Sequence, residues 1–427
     1  ATRALLVDTW KTGVVALDAK TTVTLTESVV REILSRSSVV RGRGVEVNAG
    51  ATLHVLRSRV AGTTDIGISA FGEGTRADVE GSIIEGTRPL GTEGGHGLDA
   101  GERALLSVVG SRVEGNTEAG ISANHAGTVL EVRSCVVRDT RAGLRHGGYG
   151  LAALRAATLR ATAVLVVGSS EAGVGAGLGG SVEMAACRVR DTRTLSDGLA
   201  GIGLVAFEGG LLRTTGVAVE SNIGQGVFVL QPGSRAELVA SVVRDTRTRQ
   251  FGEDRTMGRA FQAMLGASLR ATGVLLAGNA EAGLSVSGSE TRVTLEDTVI
   301  SGVAPSGRGF GVGVIIVGGG QVDGTRLAIQ NVHGGGVLLT SREDNLRARA
   351  TLRDLFVRGV TPREVGIALD NRTVREEGPR VAYGLHTGRD ATLDAERAVI
   401  DRGGFGFYNA GGVIRIECPA TGGTAVL

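Results

Sequence analysis

The chain has few aromatic residues, cysteines and prolines. Its 427 residues include one Trp (Trp10), three Tyr, nine Phe, three Cys and six Pro. Three Cys exclude a disulfide framework, and six Pro exclude a Pro-rich disordered chain. With so few aromatic rings, small and β-branched residues must fill the interior, which suits a narrow cross-section. No apolar run approaches the length of about 20 residues that crosses a bilayer, so the sequence predicts no membrane-spanning helix.

The chain also lacks a large excess of either positive or negative charge. The 46 basic and 44 acidic residues give a net charge of +2, which is too small a basic field to indicate nucleic-acid binding. The basic residues are almost all Arg, with Lys only at Lys11 and Lys20. No two His share a metal-ligand spacing, so the sequence predicts no metal site and no cofactor.

What the chain does have is glycine, 69 residues of it, and a repeat. The same short strand closes on an apolar residue at intervals that alternate between a shorter and a longer value. These residues are Val7, Val30, Val60, Ile84, Val113, Val137, Val166, Val189, Val219, Val243, Leu276, Ile300 and Ile329. A short coil and a long coil therefore take turns, which is typical of a β-solenoid.

Short coils turn through a compact motif such as Glu114-Gly115-Asn116-Thr117-Glu118-Ala119-Gly120. Asn tolerates a left-handed backbone and hydrogen-bonds its own turn. We therefore predict a structural turn ladder at Asn116, Ser169, Asn222 and Asn279. Cys135 and Cys187 hold matching places two coils apart, roughly 10 Å at the strand spacing. That separation is too long for a disulfide, and we interpret both as small buried residues.

Long coils carry an insertion at the same corner, so the insertions should form a one-sided ridge with a loop roughly every 10 Å. In repeat proteins such a ridge is often the binding face. The predicted ligand-binding residues of the ridge are Arg141, Arg145, His146, Tyr149, Arg193, Arg247, Phe251, Arg255 and Arg308. This Arg-rich edge suits an acidic polysaccharide, a lipopolysaccharide or a surface protein, and plain solvated surface is the alternative.

The Asn-x-x-x-Gly turns, the regular short coils and the single insertion corner resemble the right-handed parallel β-helix of the pectin-lyase-like superfamily. The resemblance covers nearly the whole chain at the level of fold. The preference for Arg over Lys and the repeated Val-Arg-Asp-Thr phrases resemble large secreted or surface β-helix proteins of myxobacteria and similar GC-rich bacteria. The superfamily includes lyases, hydrolases, epimerases, phage tailspikes and non-catalytic adhesins, so the resemblance does not select one function.

The predicted fold class is all-β, one right-handed parallel β-helix domain over residues 1–427. It has about fourteen coils, roughly 65 Å at the strand spacing. Residues 1–340 form regular coils, and residues 341–427 form irregular coils with polar loops at 341–345 and 370–378. Because the chain opens and closes within a coil, we expect a piece of a longer protein or end-to-end contact with another β-helix.

Three carboxylates repeat at the insertion corner: Asp139, Asp191 and Asp245. They are the weak catalytic candidates. Their two-coil spacing, roughly 10 Å, exceeds the separation of a glycosidase acid and base, and each has Arg at −1 and +2, so a surface salt-link ladder is the favoured interpretation. Gly95-His96-Gly97 resembles the Gly-His-Gly of polygalacturonase-type hydrolases in three residues only, without that family's paired acids, and we do not carry the role over. A weak Ca²⁺ site on the loops stays open as an alternative.

From the sequence we predict a non-enzymatic bacterial protein, extracellular or at the cell surface, which acts as an adhesin or structural module. It contacts a polysaccharide or protein through the ridge. The alternatives are a polysaccharide-active enzyme of the superfamily and a subunit of an end-to-end assembly. Three or more acids converging in one groove beside an Arg, with exposed aromatic side chains, would favour the enzyme. A ridge without a groove would favour the adhesin.

Overall fold

The structure is a computed structural model. It describes residues 1–35, 41–144, 147–198, 200–251, 255–306, 311–340, 346–361, 383–388, 390–401, 405–409, 412–418 and 423–426. These residues form strands and turns, and no helix long and apolar enough to cross a membrane occurs among them. The chain divides into two compact units, residues 1–217 and residues 218–427.

Each coil of unit 1 contributes one strand to each of three parallel ladders, which we name A, B and C. Ladder A contains Leu5–Val7, Val29–Arg31, Arg59–Ala61, Ile83–Glu85, Arg112–Glu114, Val136–Arg138, Leu165–Val167 and Arg188–Arg190. Ladder B contains Thr12–Leu17, Arg43–Asn48, Ile66–Phe71, His96–Gly101, Ala119–Asn124, Tyr149–Leu154, Ala172–Gly177 and Ile202–Phe207. Ladder C contains Thr22–Thr26, Thr52–Leu56, Arg76–Glu80, Leu105–Val109, Val129–Arg133, Thr158–Thr162, Ser181–Ala185 and Leu211–Thr215.

Unit 2 repeats the arrangement, with longer strands in which C runs into A. Its ladder B contains Gln225–Leu230, Arg259–Met264, Glu281–Ser287, Gly311–Val317, Gly335–Thr340, Tyr383–Thr387 and Phe405–Asn409. Ladders A and C contain Ala218–Glu220, Arg235–Val239, Val242–Arg244, Ser268–Thr272, Leu275–Ala277, Arg292–Ser301, Gln321–His333, Arg349–Thr361, Thr392–Glu396, Val399–Asp401 and Val413–Cys418. Two antiparallel additions are the hairpin Arg249–Phe251 with Arg255–Met257, and Gly423–Val426 on Val413–Cys418.

The strands pair in parallel with their equivalents one coil away, and the register stays constant. In unit 1, Ile84 pairs with Val113 in ladder A and Leu98 pairs with Ile121 in ladder B. Parallel strands connected within one sheet take the right-handed sense in almost all proteins. The predicted right-handed parallel β-helix is therefore confirmed, and so is the alternation of short and long coils. The corner between ladders A and B is short at residues 62–65 and 115–118 and long at residues 86–95 and 191–201.

A column of glycines at the second position of the ladder B strands lets that ladder approach ladder A. A Cβ on Gly120 would lie 2.6 Å from Val137 Cγ1 and 2.7 Å from the Gly150 carbonyl oxygen. The glycine at the second position has no partner in the strand pairing. Because of this skipped residue, the first, fourth and sixth residues of each strand share the outer face. The third and fifth residues, such as Leu98 and Ala100, point inward and are fully buried.

The turn from ladder C to ladder A contains one residue in the left-handed conformation, such as Arg57 with φ 45°. In most coils of unit 1 the next residue is a buried Ser or Cys, whose side chain can accept a backbone N–H from the preceding coil. Ser28 N donates to Ser58 Oγ at 3.0 Å, and Ser111 N donates to Cys135 Sγ at 3.4 Å. Both Cys135 and Cys187 are free and buried, as predicted, and they act here as hydrogen-bonding members of this hydroxyl and thiol ladder.

The corner from ladder A to ladder B also opens on a left-handed residue, and a buried polar side chain follows it. The predicted turn-ladder residues Asn116, Ser169, Asn222 and Asn279 all occupy this buried place. Asn116 Oδ1 accepts from Thr87 N at 2.9 Å, and its amide donates to the Ile84 carbonyl. Long coils place Thr there, at Thr87, Thr140, Thr192 and Thr246, so the ladder runs through both kinds of coil.

The C-terminal part of unit 2 keeps the coil pattern in its described residues, from Arg349–Thr361 through Tyr383–Thr387 to Thr392–Glu396. The polar loops predicted at residues 341–345 and 370–378 lie outside the described residues. The division into one domain with a regular and an irregular part stays a prediction.

Candidate functional site

An open cleft lies over the outer face of ladder B in unit 1. Its volume is about 1080 Å³. The acidic side chains that line it are Asp65, Glu93, Asp99, Glu102 and Glu118, and the basic ones are Arg41, Arg43, His96, His125 and Arg155. Two half-buried aromatic rings, Phe71 and Tyr149, face the same space. The cleft thus combines both charges with apolar surface along several successive coils.

Each short corner in unit 1 that borders this cleft presents one carboxylate, and we name Asp65, Glu118 and Glu171 the corner carboxylates. Each binds the first ladder B residue of the preceding long coil. Arg43 Nε lies 3.4 Å from Asp65, His96 Nε2 lies 3.5 Å from Glu118, and the Tyr149 hydroxyl donates to Glu171 at 2.8 Å.

The corner carboxylates also hold the ends of the long loops. Gly94 N donates to Glu118 Oε2 at 2.9 Å, and Gly147 N donates to Glu171 Oε2 at 2.7 Å. These glycines have φ near +85° and +95°, so each loop returns to ladder B through a left-handed turn that points its N–H at the carboxylate. A short coil therefore fixes both the loop and the first strand residue of its neighbour.

His96 stands at the centre of the cleft between two carboxylates. Its Nδ1 lies 3.0 Å from Ser122 Oγ and 3.8 Å from Asp99 Oδ1, while Nε2 faces Glu118. Asp99 is itself held by the Ser122 hydroxyl at 2.6 Å and by the Asn124 amide at 3.0 Å. Asp99 is only 6% exposed, so its position is set by these hydrogen bonds and it in turn orients the imidazole.

The His96 imidazole holds its proton unusually firmly. Burial alone would lower its pKa, but hydrogen bonds and charges from Asp99 and Glu118 outweigh it and raise the pKa to about 10. In unit 2, burial lowers the pKa of His386 to about 4. Asp99 and Glu118 thus favour the cationic form of His96 at neutral pH.

We expect this cation to make stability depend on pH. The folded pKa of about 10 exceeds the ordinary 6.5, so the stabilisation is complete below pH 6.5 and is lost as pH rises through 10. The loss should be about 2–4 kcal/mol, because part of the ring stays in contact with water. Urea unfolding of the wild type and of His96→Arg, measured at several pH values, separates the contribution of His96 titration to the free energy of unfolding. A stability difference between the two proteins that stays constant from pH 6.5 to 10 would contradict the assignment.

The chain contains a version of this cluster without a titratable cation. In unit 2, Arg259 occupies the first ladder B position; its Nη2 lies 2.8 Å from Glu281 and its Nη1 donates to Ser285 Oγ at 3.1 Å. Glu281 also accepts from Gly258 N at 2.8 Å. Arg259, Glu281 and Ser285 correspond to His96, Glu118 and Ser122. The same place therefore accepts either an imidazole or a guanidinium against a carboxylate and a hydroxyl.

Tyr149 lies two coils from His96 in the same column, roughly 10 Å away at the strand spacing. A Cβ on Gly175 would touch the Tyr149 ring, so this glycine makes room for it. Burial first, then the charge and hydrogen bond of Glu171, raise the pKa of Tyr149 well above its ordinary value. The phenol therefore stays protonated. Tyr149, which the sequence predicts as a ligand-binding ridge residue, lines the cleft.

The three predicted catalytic carboxylates lie in the corner turn and not in the cleft. Asp139, Asp191 and Asp245 take the left-handed conformation, with φ 54–56°. Asp139 pairs with Arg138 at 3.4 Å and with Arg193 at 3.1 Å. Asp191 and Asp245 each face the preceding Arg, at 3.5 Å and 3.8 Å. All three carboxylates therefore lie in surface ion pairs, of which Asp139–Arg193 joins two coils. The salt-link ladder stays an interpretation.

The predicted ridge residues divide into three groups. Arg141, Arg193 and Arg247 are exposed at the long corners. Arg145, His146 and Arg308 lie outside the described residues. Phe251 and Arg255 belong to the two strands of the hairpin in unit 2, and their side chains lie outside the described part. The described residues contain no group of three or more His, Cys, Asp or Glu that could hold a metal ion.

Sequence reasoning missed the cluster because its members come from different coils. His96 and Asp99 share one strand, but Glu118 and Ser122 come from the next coil. The signal that could have found it was the recurring corner acid, as in Glu118-Ala119-Gly120 and Glu171-Ala172-Gly173. The pairing of ladder B strands between coils puts this acid beside the first ladder B residue of the preceding coil.

Comparison with known proteins finds fold likeness alone. No family model matches the chain, and no curated protein sequence matches it. Solved structures that resemble it are right-handed β-helix proteins. A pectate lyase is 12% identical, with a TM-score of 0.38 over 79% of this chain and 73% of that chain. An Azotobacter vinelandii mannuronan C-5 epimerase module is 12% identical, with a TM-score of 0.38 over 92% of this chain and 90% of that chain. An alginate lyase is 9% identical, with a TM-score of 0.39 over 96% of this chain and 86% of that chain. At these values no residue, substrate or activity carries over.

Proposed function

We propose that the chain is a polysaccharide-active enzyme and that the cleft of unit 1 is its catalytic site. The observation that carries the proposal is the protonated His96 held between Asp99 and Glu118 in an open cleft. Acids converge there beside Arg43 and Arg155, with Phe71 and Tyr149 half-exposed. This is the arrangement that favours the enzyme over the adhesin predicted from the sequence.

Acid–base chemistry on a glycan needs one group that gives a proton and one that takes it. His96 is the proton donor. Glu118 is the acceptor: its polar side-chain contacts with the described residues are made through Oε2, and Oε1 takes the proton from water or from a sugar carbon. Asp99 is a positioning residue.

The two groups are coupled through their contact of 3.5 Å. The charge of Glu118 helps to raise the pKa of His96. When Glu118 takes up a proton, that charge disappears and the pKa of His96 falls. Proton uptake at Glu118 therefore makes the imidazolium a stronger acid. Its Nε2, which no longer faces a charged carboxylate, releases its proton to the leaving glycosidic oxygen, while Nδ1 stays bound to Ser122 and Asp99. After the step, the proton passes from Glu118 back to His96.

The shape of the site suits a polymer. Arg43, His96 and Tyr149 line the cleft, and each lies two coils from the next along ladder B. Arg155 contacts Asn124 Oδ1 at 3.5 Å and offers its guanidinium to an acidic sugar. A polysaccharide substrate agrees with our further proposal that the protein acts outside the bacterial cell or at its surface.

The test is a panel of acidic and neutral polysaccharides incubated with the wild-type chain. Reducing ends report hydrolysis, absorbance of unsaturated sugars reports elimination, and NMR of the polymer reports epimerisation. We expect one of these products from at least one acidic polymer. Glu118→Gln keeps the hydrogen bond from Gly94 and should lower turnover by about 10²–10⁴-fold.

The matched control is Glu281→Gln, which makes the same change in unit 2 and should leave turnover within twofold. Retention of a polymer without any product, in every assay, would overturn the enzyme and return the protein to a carbohydrate-binding adhesin. Equal losses in Glu118→Gln and Glu281→Gln would show that the cleft is not the site.

A further inference from the structure

A second groove follows the ladder A side of the corners in unit 1, with a volume of about 580 Å³. Thr117 faces this groove, while the next residue, Glu118, faces the cleft. The floor of the groove is made of the glycines Gly62, Gly86, Gly115 and Gly168. Three of them have open space or only one atom within 4 Å of an added Cβ, so a ligand could approach the backbone closely there.

One column of side chains runs along this groove and alternates hydroxyl groups with guanidinium groups. The register follows from Thr64 pairing with Arg88 and Thr117 pairing with Arg141, and from Arg193 N donating to the Ser169 carbonyl. The column contains Thr64, Arg88, Thr117, Arg141, Ser170 and Arg193. Short coils supply the hydroxyls and long coils supply the cations, so the cations recur roughly every 10 Å.

Two of these cations lack an anionic partner among the described residues. Arg193 pairs with Asp139 at 3.1 Å, and the neighbouring Arg138 pairs with Glu114 at 3.0 Å. Arg88 and Arg141 are exposed and form no ion pair with any residue that the structure describes. Two unpaired guanidinium groups on one line, two coils apart, are suited to anionic groups that repeat along a ligand.

We propose that this groove binds a linear acidic polysaccharide along the coil axis, separately from the chemistry in the cleft. The guanidinium groups of Arg88 and Arg141 take its carboxylate or sulfate groups. The Thr117 hydroxyl hydrogen-bonds to the sugar between these two arginines, and the Ser170 hydroxyl to the sugar that follows Arg141. No aromatic side chain of the described part lines the groove, so it lacks the stacking surfaces with which proteins bind single-stranded nucleic acids.

Unit 2 provides an internal comparison. The same corner column contains Ile223, Arg247, Ala280 and Ala304. Its single Arg247 has apolar neighbours in place of hydroxyls. The alternation of hydroxyl and cation therefore belongs to unit 1, and Arg247 is a matched control for an exposed corner arginine outside the groove.

The experiment measures binding to polygalacturonate by biolayer interferometry at several salt concentrations, with dextran and poly(dT) as the neutral and nucleic-acid probes. We expect Arg88→Gln and Arg141→Gln each to weaken binding to polygalacturonate by about tenfold. Arg247→Gln should change it by less than twofold. Repeating these measurements in a Glu118→Gln background, in which turnover is strongly reduced, keeps the polymer intact and separates binding in this groove from catalysis in the cleft.

Three results would overturn the proposal. Equal weakening by all three Arg substitutions would indicate general charge attraction. Unchanged binding in Arg88→Gln and Arg141→Gln would place the ligand elsewhere. Tighter binding to poly(dT) than to polygalacturonate at equal salt would assign the groove to nucleic acid.

Discussion

His96→Arg should keep the fold and the positive charge of the cleft and yet lose about 10²–10⁴-fold in turnover. The chain itself shows that Arg fits this place, because Arg259 binds Glu281 and Ser285 in the equivalent positions. An Arg at position 96 can pair with Glu118 and Ser122 in the same way. Its guanidinium cannot give up a proton in a protein, so it supplies the structure without the chemistry.

The measurement is a comparison of kcat and KM on the polysaccharide that the wild type processes, together with the midpoint of urea unfolding. We expect the loss in kcat, with KM within about threefold, because the charge that faces the substrate is conserved. Arg259→His is the mirror control in unit 2 and should leave kcat unchanged. A His96→Arg protein with normal kcat would show that His96 is only a structural cation.

Gly120→Ala should destabilise unit 1 by about 2–4 kcal/mol, although it adds a single methyl group. The added Cβ would lie 2.6 Å from Val137 Cγ1, 2.7 Å from the Gly150 carbonyl oxygen and 3.1 Å from Thr140 Oγ1. Two of these neighbours belong to tightly packed ladders and cannot move without breaking strand pairs. The backbone at Gly120 is otherwise ordinary, so the expected loss comes from steric overlap.

The chain shows how this overlap is relieved. The glycine column faces a β-branched residue of ladder A in coil after coil, and Ala260 replaces the glycine where the ladder A residue is Leu276. A leucine has one Cγ where valine has two groups on Cβ, which leaves space for the methyl group. We therefore expect Val137→Leu to recover about half of the loss in the double variant. Urea unfolding of the two single variants and the double variant measures this coupling. Strictly additive effects would contradict the explanation.

The fold could be predicted from the sequence because each coil repeats the same local rules. Alternating apolar residues such as Leu106 and Val108 and left-handed turns recur from coil to coil, and most coils also repeat the buried polar residue at the corner. A misread residue in one coil therefore has little effect on the predicted fold, because the other coils carry the same pattern. The insertion corner could be located for the same reason, since every second interval lengthens at the same point of the coil.

The cleft could not be predicted, because its chemistry depends on register between coils. Asp139, Asp191 and Asp245 repeat visibly along the sequence, and repetition is a sign of structure rather than of a unique site. His96 is not part of a repeated phrase, and it becomes a candidate site residue only because the stacking of ladder B places Glu118 beside it. The strand register also passes over Gly97 and leaves His96 on the outer face together with Asp99, which simple alternation along the strand does not indicate.

The most direct test of the account is the crystal structure of His96→Arg with an oligosaccharide of the polymer that the wild type processes. The account predicts sugar rings over ladder B of unit 1, with the reacting bond beside Glu118 and residue 96. An oligosaccharide bound only in the groove at Arg88 and Arg141, or only in unit 2, would contradict the assignment of the cleft as the catalytic site.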